Sequence, residues 1–334
     1  MYIICLIVLF MVLYKITLDK DQSYYFSKNY TQSWKGILCI GVLMTHILEI
    51  YNWPNFLYNL HSFGYIEVAI FFMFSGYGLK YSLNNKENYM QSFWKKRFLK
   101  IYLPYLICGL LCYFLKNIWI MNEDLSAIGV LKRITGYDAI WFIKALLIFY
   151  IAFWFIYKFF SKKGNLLMGI FIIGYILICF SLKVDKTWYG SVIPFYIGII
   201  LADNIEKIKK AKVNILFLSI CGVLACGMEV LYIIFKDDVL FGSLIIRNLL
   251  CLSITIFFLM VTQKIRVGNK FAMFFGEISY EVFLIHPTCI AIVKSLTNNR
   301  ISIEIQAFLI FLLVVVMAYV MNKIDSVVVK RACK

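Results

Sequence analysis

Trp34-Lys35-Gly36-Ile37-Leu38-Cys39-Ile40-Gly41-Val42-Leu43-Met44-Thr45-His46 is an apolar, helix-forming run that opens on a cation and carries an imidazole far along its length. The rest of the chain has the same character. Of 334 residues, 62% are hydrophobic and 18% aromatic, and the mean hydropathy is +0.81, outside the range of water-soluble globular proteins. Such a run crosses a lipid bilayer. Ionisable side chains are costly in hydrocarbon and face a bundle interior or a wet cavity, so a His within a span is a functional-site candidate from the outset. At about 1.5 Å rise per residue, Lys35 and His46 lie roughly 16 Å apart along the helix axis, about half the apolar core. One helix then holds a charge near one membrane face and a base toward the other, and the expectation is a single wet channel joining them.

Apolar stretches of spanning or near-spanning length run over 1–15, 35–51, 64–83, 98–120, 138–158, 166–182, 188–202, 213–235, 240–262, 272–293 and 303–322. The expected fold is all-α, a polytopic membrane helix bundle of about 10–11 transmembrane helices. With no linker, low-complexity tract or internal repeat, residues 1–334 read as one integral domain. Met1 to Tyr14 lacks a basic n-region and a small-residue cleavage site, so it is kept as a short first span.

Lys and Arg number 34 against 18 Asp and Glu, a net charge of +16. This excess would suit nucleic acid, but the cations sit in short connections between apolar spans. Connections at 15–35, 80–100, 158–163, 207–212, 264–270 and the C-terminal tail carry about three times the Lys and Arg of the alternate set, which places them in the cytoplasm. The N-terminus is then outside and the C-terminus inside. The shortest segments, 1–15 and 188–202, are the ones whose failure to span would invert this register. The ten cysteines lie mostly singly in apolar stretches, without metal-ligand or disulfide spacing, and read as small buried hydrophobes.

On this topology the three histidines, His46, His61 and His286, all fall in the outer half, with Asp138 and Trp141 at the same level. Imidazole titrates near neutrality and suits removal of a proton from a hydroxyl, the step that acyl transfer to oxygen requires. A hydrogen-bonded packing role is the plainer reading of a lone intramembrane His. Glu67 lies near the outer end of 64–83, followed by Phe71-Phe72-Met73-Phe74-Ser75-Gly76-Tyr77-Gly78. Small residues there permit close helix packing or a break that opens the backbone to a ligand. The cytoplasmic run Lys95-Lys96-Arg97-Phe98-Leu99-Lys100 is either an anchor to lipid phosphates or a clamp for the phosphates of a nucleotide-bearing donor. Lys144, Glu229 and Arg247 are further charges in or near spans, for which internal ion pairing is the plain account.

Taken together, these stretches resemble the acyltransferase-3 family of integral membrane acyltransferases. The resemblance rests on Lys35 to His46, with Lys where the family commonly has Arg, and on Phe71 to Tyr77. The basic run Lys95 to Pro104, the pair Trp141-Phe142 and the late segment Ile278 to His286 complete it. It implies an acyl-CoA donor, usually acetyl-CoA, reached from the cytoplasm, an acceptor on the other face, and His46 as the essential base. Lys35 keeps the family's charge and loses its bidentate fork. The pattern looks closest to members without an appended extracytoplasmic domain, which modify capsule or exopolysaccharide.

The expected activity is therefore O-acetyl transfer to a hydroxyl of an envelope sugar, with acetyl-CoA as co-substrate and no metal. Its partners are the acyl-CoA, a glycan acceptor and the bilayer, and not nucleic acid. His46 is the expected base or acyl relay, with His286 and Glu67 as orienting or proton-sharing catalytic groups. Lys35, Lys96, Arg97 and Lys100 are the expected donor-phosphate ligands, and Ser75, Tyr77 and Trp141 the substrate-binding side chains. A transporter or flippase for a glycan precursor is the rival reading, since buried charges and Gly-rich helices also build substrate pathways. A membrane sensor or scaffold is a third.

Overall fold

The computed structural model describes residues 10–18, 23–50, 64–121, 126–137, 139–211, 213–297 and 300–332. His61, Asp138 and most of the 1–15 stretch lie outside them. The chain forms α1 (Lys28–Ile50), α2 (Gly64–Asn85), α3 (Phe93–Lys116, with a π-helical turn at Phe98–Tyr102), α4 (Ala127–Ile134), α5 (Trp141–Phe159) and α6 (Gly164–Ser181). It continues as α7 (Ile193–Lys210), α8 (Ile215–Phe235), α9 (Val239–Thr262), α10 (Lys270–Glu277), α11 (Ser279–Thr297) and α12 (Ile303–Ala332). The fold is an all-α bundle of a multi-pass membrane protein. Its only sheet among the described residues is a two-stranded antiparallel ribbon, β1 (Ile16–Leu18) with β2 (Ile265–Val267).

Six helices are long and apolar enough to cross a membrane by length and composition: α3, α5, α6 with its preceding turn, α8, α9 and α12. The pair α10 and α11 makes a seventh, bent by 72°. Helices α1, α2 and α7 were expected to span and fall short of that apolar standard, because they form the inside of the bundle. Buried against other helices rather than lipid, they accommodate Lys35, His46, Glu67 and Asp203. The outer helices show the complementary pattern: α8 exposes Ile215, Phe217, Val223, Leu224, Ile233 and Ile234, and so presents an apolar face to lipid.

Several expectations are corrected in detail. Helix α1 begins seven residues earlier than its apolar stretch, at a cap in which Tyr30 N–H donates to Ser27 Oγ at 3.1 Å. The stretch 272–293 is two helices, parted at Ile278, where Ser279 Oγ donates to the Gly276 carbonyl. Helix α12 runs on to Ala332, so residues 323–332 of the tail are helical. Helix α4 lies within the presumed loop 116–133, opened by Ser126, whose Oγ accepts from Gly129 N–H at 3.0 Å.

Small residues set the spacing of the inner helices. A Cβ at Gly76 of α2 would overlap the Phe195 carbonyl of α7, and one at Gly198 of α7 would overlap the Met73 carbonyl of α2. The same reciprocity joins α1 to α10, where Gly36 meets Ala272 and Gly276 meets Gln32. Backbones in such contact gain packing that lipid tails cannot offer. One end of the α2–α7 seam is tied by Asp203, which takes Lys80 Nζ at 3.3 Å, Asn84 Nδ2 at 2.8 Å and Asn165 Nδ2 at 2.7 Å. Gly76→Leu or Gly198→Leu is expected to force α2 and α7 apart at a cost of about 1–3 kcal/mol. A lower thermal midpoint in detergent checks this, with Gly174→Leu, whose Cβ meets nothing within 4 Å, as the neutral control.

Candidate active site

Eleven residues advance a helix by just over three whole turns, so Lys35 and His46 project within about 20° of one another from α1. The same stripe carries Val42, Thr45 and Glu49. The stripe opens onto two cavities instead of the single channel expected. One, of about 350 Å³, is lined by Lys35, Ser75, Gly78, Arg97, Tyr150 and Tyr280 among others. The second, of about 620 Å³, is lined by His46, Glu49, Tyr65, Trp141, Arg247 and His286 among others. Phe283 of α11 lines both. Its ring lies 4.9 Å from that of Phe142, which lies 4.8 Å from that of Phe72, so a short aromatic partition separates the charged end from the imidazole end. Helices α1, α2, α5 and α11 each contribute to both sides.

At the Lys35 end the groups present suit an anion. Arg97 reaches the cavity from the start of α3, where its guanidinium donates to Tyr89 Oη at 2.7 Å and lies 5.5 Å from the Phe93 ring and 5.3 Å from that of Tyr150. Its Nε is buried and unpartnered. Lys35 Nζ lies 5.9 Å from the Phe74 ring. Among the described residues, no carboxylate lies within ion-pair distance of either cation. Two half-buried cations without a counterion are costly, and a bound phosphate would offset that cost. Gly78, beside which a Cβ would meet nothing, leaves room for a ligand, and Ser75 lines the wall with its Oγ donating to the Phe71 carbonyl at 2.9 Å.

At the other end the His46 and His286 rings stack, with centroids 4.8 Å apart and planes 27° from parallel. His286 is buried, and its Nδ1 faces the Val282 carbonyl at 3.1 Å. A carbonyl only accepts, so Nδ1 carries the proton and Nε2 is left with its lone pair. Pro287, the next residue, has no N–H to give the Phe283 carbonyl, which leaves that backbone oxygen to the His286 ring. His46 is partly exposed to the cavity, and its Nδ1 lies 3.4 Å from Glu49 Oε2, one turn further along the same helix. The carboxylate favours the proton on Nδ1 and leaves Nε2 of His46 with its lone pair.

The sequence-derived residues divide accordingly. Lys35, Arg97 and Ser75 meet at one cavity, and His46, His286 and Trp141 at the other. Glu67 lines neither. Its carboxylate packs on the α1 backbone at Gly41, midway between Lys35 and His46, with Oε2 buried and unpartnered. Tyr77 is buried in an aromatic cluster, 4.4 Å from the Phe26 ring. Lys96 lies 5.5 Å over the Tyr89 ring, and neither it nor Lys100 lines the Lys35 cavity. Glu49, Arg247, Tyr65, Lys186 and Lys236 were not singled out for the site. The signals available beforehand were the i, i+3 spacing from His46 to Glu49 and the placement of the Arg247 charge in a span.

The site is thus a cation pocket and an imidazole pocket on opposite sides of an aromatic partition, inside a multi-pass helix bundle. The model of one protein family, described as an acyltransferase domain, matches residues 28–321, and the chain belongs to that family, acyltransferase-3. Comparison with curated proteins and with solved structures returns no match. The matched range takes in every helix that lines the two cavities.

With only three histidines, imidazole ¹⁵N shifts resolve the site directly. His286 is expected as the Nδ1–H tautomer. Glu49→Gln is expected to move His46 away from Nδ1–H and leave His286 unchanged; His46 shifts that do not respond would show that Glu49 does not orient it.

Proposed function

We propose that the chain moves an acetyl group from acetyl-CoA, bound at the Lys35 end, to a sugar hydroxyl held in the His46 cavity. Family membership supports the acyltransfer chemistry, and the Lys and Arg bias of the connections supports a cytosolic Lys35 end and an extracytoplasmic His46 end. The observation that carries the reading is the placement of Lys35 and His46 on one face of α1, either side of Phe283, which lines both cavities.

In this mechanism Lys35 and Arg97 hold the donor's phosphates, and the thioester reaches toward Phe283. Nε2 of His46 takes the proton of the acceptor hydroxyl as its oxygen attacks the thioester carbonyl. The C–S bond breaks, the acetyl group stays on the sugar oxygen, and the thiolate leaves on the donor side, where a proton returns to it. The carboxylate of Glu49 faces the imidazolium that forms. His286, with its proton committed to a carbonyl, cannot accept that proton at Nδ1 and serves to fix the plane of the His46 ring. Trp141 forms a wall for the sugar, as aromatic rings do for sugar faces. The rings of Phe72, Phe142 and Phe283 keep bulk water off the thioester until an acceptor is in place.

His46→Ala is expected to lower kcat for CoA release with an envelope glycan acceptor by about 10²- to 10⁴-fold, the range of a lost general base. Membrane abundance and thermal midpoint should be unaltered; undiminished glycan acetylation by this variant, read by NMR of the polymer, would end the assignment. Phe283→Ala is expected to raise the ratio of acetyl-CoA hydrolysis to transfer, measured as free acetate against acetylated glycan. An unchanged ratio would mean that the partition does not guard the thioester.

A further inference from the structure

The His46 cavity holds more positive charge than the transfer of an acetyl group to a neutral sugar needs. Lys186, Lys236 and Arg247 line it, against a single carboxylate, Glu49, which is engaged by His46. Arg247 is the decisive member. It sits in α9, 4% exposed, with its guanidinium 4.8 Å over the Tyr65 ring. Its Nε is buried without a partner, and among the described residues no hydrogen bond or ion pair is made to it. The nearest intramembrane acid, Glu229, accepts instead from Tyr65 Oη at 2.7 Å. The internal pairing expected of Arg247 and Glu229 is thus replaced by a tyrosine between them.

Two acids of the adjoining loops, Asp185 and Asp238, are also occupied. Asp185 accepts from Thr187 N–H at 2.8 Å and Thr187 Oγ1 at 2.6 Å, and Asp238 caps Phe241 N–H at 2.7 Å. Burial pushes the Asp185 carboxyl up, yet the Thr187 hydrogen bonds and the Arg247 and Lys186 charges together hold it below its ordinary value. Thr187 accounts for the larger part of that lowering, and the two cations add to it. A buried guanidinium without an anion is strongly disfavoured, and its planar fork fits a carboxylate or a phosphate.

We infer that the acceptor is an acidic glycan, and that Arg247, assisted by Lys186 and Lys236, binds its carboxylate or phosphate group while His46 faces the hydroxyl to be acylated. The inference rests on the acyl-transfer reading above and adds the charge of the acceptor. Arg247 acts as a specificity residue: a neutral sugar entering the cavity leaves the guanidinium desolvated and unpaired, which penalises it relative to an acidic one.

The test uses the full chain in phosphatidylcholine nanodiscs. Binding is read by fluorescence anisotropy with three labelled tetrasaccharide probes: one bearing glucuronate, its carboxyl-reduced neutral counterpart, and a 6-phosphorylated neutral counterpart. At least one charged probe is expected to bind about tenfold or more tighter than the neutral one, a difference of about 1.4 kcal/mol or more, and the tighter of the two identifies the anion. Arg247→Gln is expected to abolish that preference and Arg247→Lys to keep part of it. Lys186→Gln with Lys236→Gln, at sites nearer the surface, is expected to weaken it without disturbing the fold. Equal binding of charged and neutral probes, no binding of any probe, or a preference that survives Arg247→Gln would overturn the inference. His46-dependent CoA release is followed in parallel. If it persists while the anion preference is missing, only this inference fails. An intact preference with CoA release indifferent to His46→Ala removes the acyl-transfer reading and leaves the anion site standing.

Discussion

A cation and an imidazole can share one transmembrane helix only if other helices keep lipid away from both. Much of the architecture follows from that constraint. Helix α1 is drawn into the bundle interior by backbone contacts at Gly36 and Gly276, and α2 is held beside it and against α7 through Gly76 and Gly198. The strongly apolar helices, among them α6, α8 and α12, stand outside and meet the lipid. The inner helices are the less hydrophobic ones because their polar groups face cavities and each other.

Within that interior, proximity and separation are both needed. A thioester exposed to water hydrolyses, while one sealed from its acceptor does not react, so a barrier a single ring thick is a workable compromise. Phe283 has this position because α11 begins after the sharp bend at Ile278, which turns Tyr280, Phe283 and His286 onto successive levels of the same pathway. Tyr280 Oη donates to the Ile101 carbonyl at 2.8 Å, tying that pathway to the π-helical turn of α3 just beyond Arg97. The donor end and the partition are thereby parts of one packed unit.

Much of this was legible in the chain itself. The apolar runs mark most of the helices, and Lys35, Arg97, His46 and His286 were named from their types and levels in the membrane. What was not legible depends on helix rotation and on distant pairing. Glu67 looked like a partner for His46 because both lie toward one face of the membrane, yet its side chain turns to the Gly41 backbone. Tyr77 shares a motif with Ser75, but two positions on a helix turn it about 160° away, out of the cavity and into the Phe26 cluster. The β1–β2 ribbon joins residues far apart in the chain, and no local periodicity announces it. Arg247 was seen as a charge in a span; only the fold shows that Tyr65 separates it from Glu229.

The two ends of the pathway use positive charge differently. At the Lys35 end, cations lie against aromatic faces and small residues, in the smaller of the two cavities. At the His46 end, cations ring a larger space that His46 also lines, so their field acts on whatever enters it. A base next to cations is hindered in taking up a proton, and here Glu49 answers that difficulty by facing Nδ1 of His46. The carboxylate offsets the imidazolium locally while Arg247 keeps its charge for a ligand. This division explains why the one acidic side chain lining the cavity is spent on the histidine and none on the arginine.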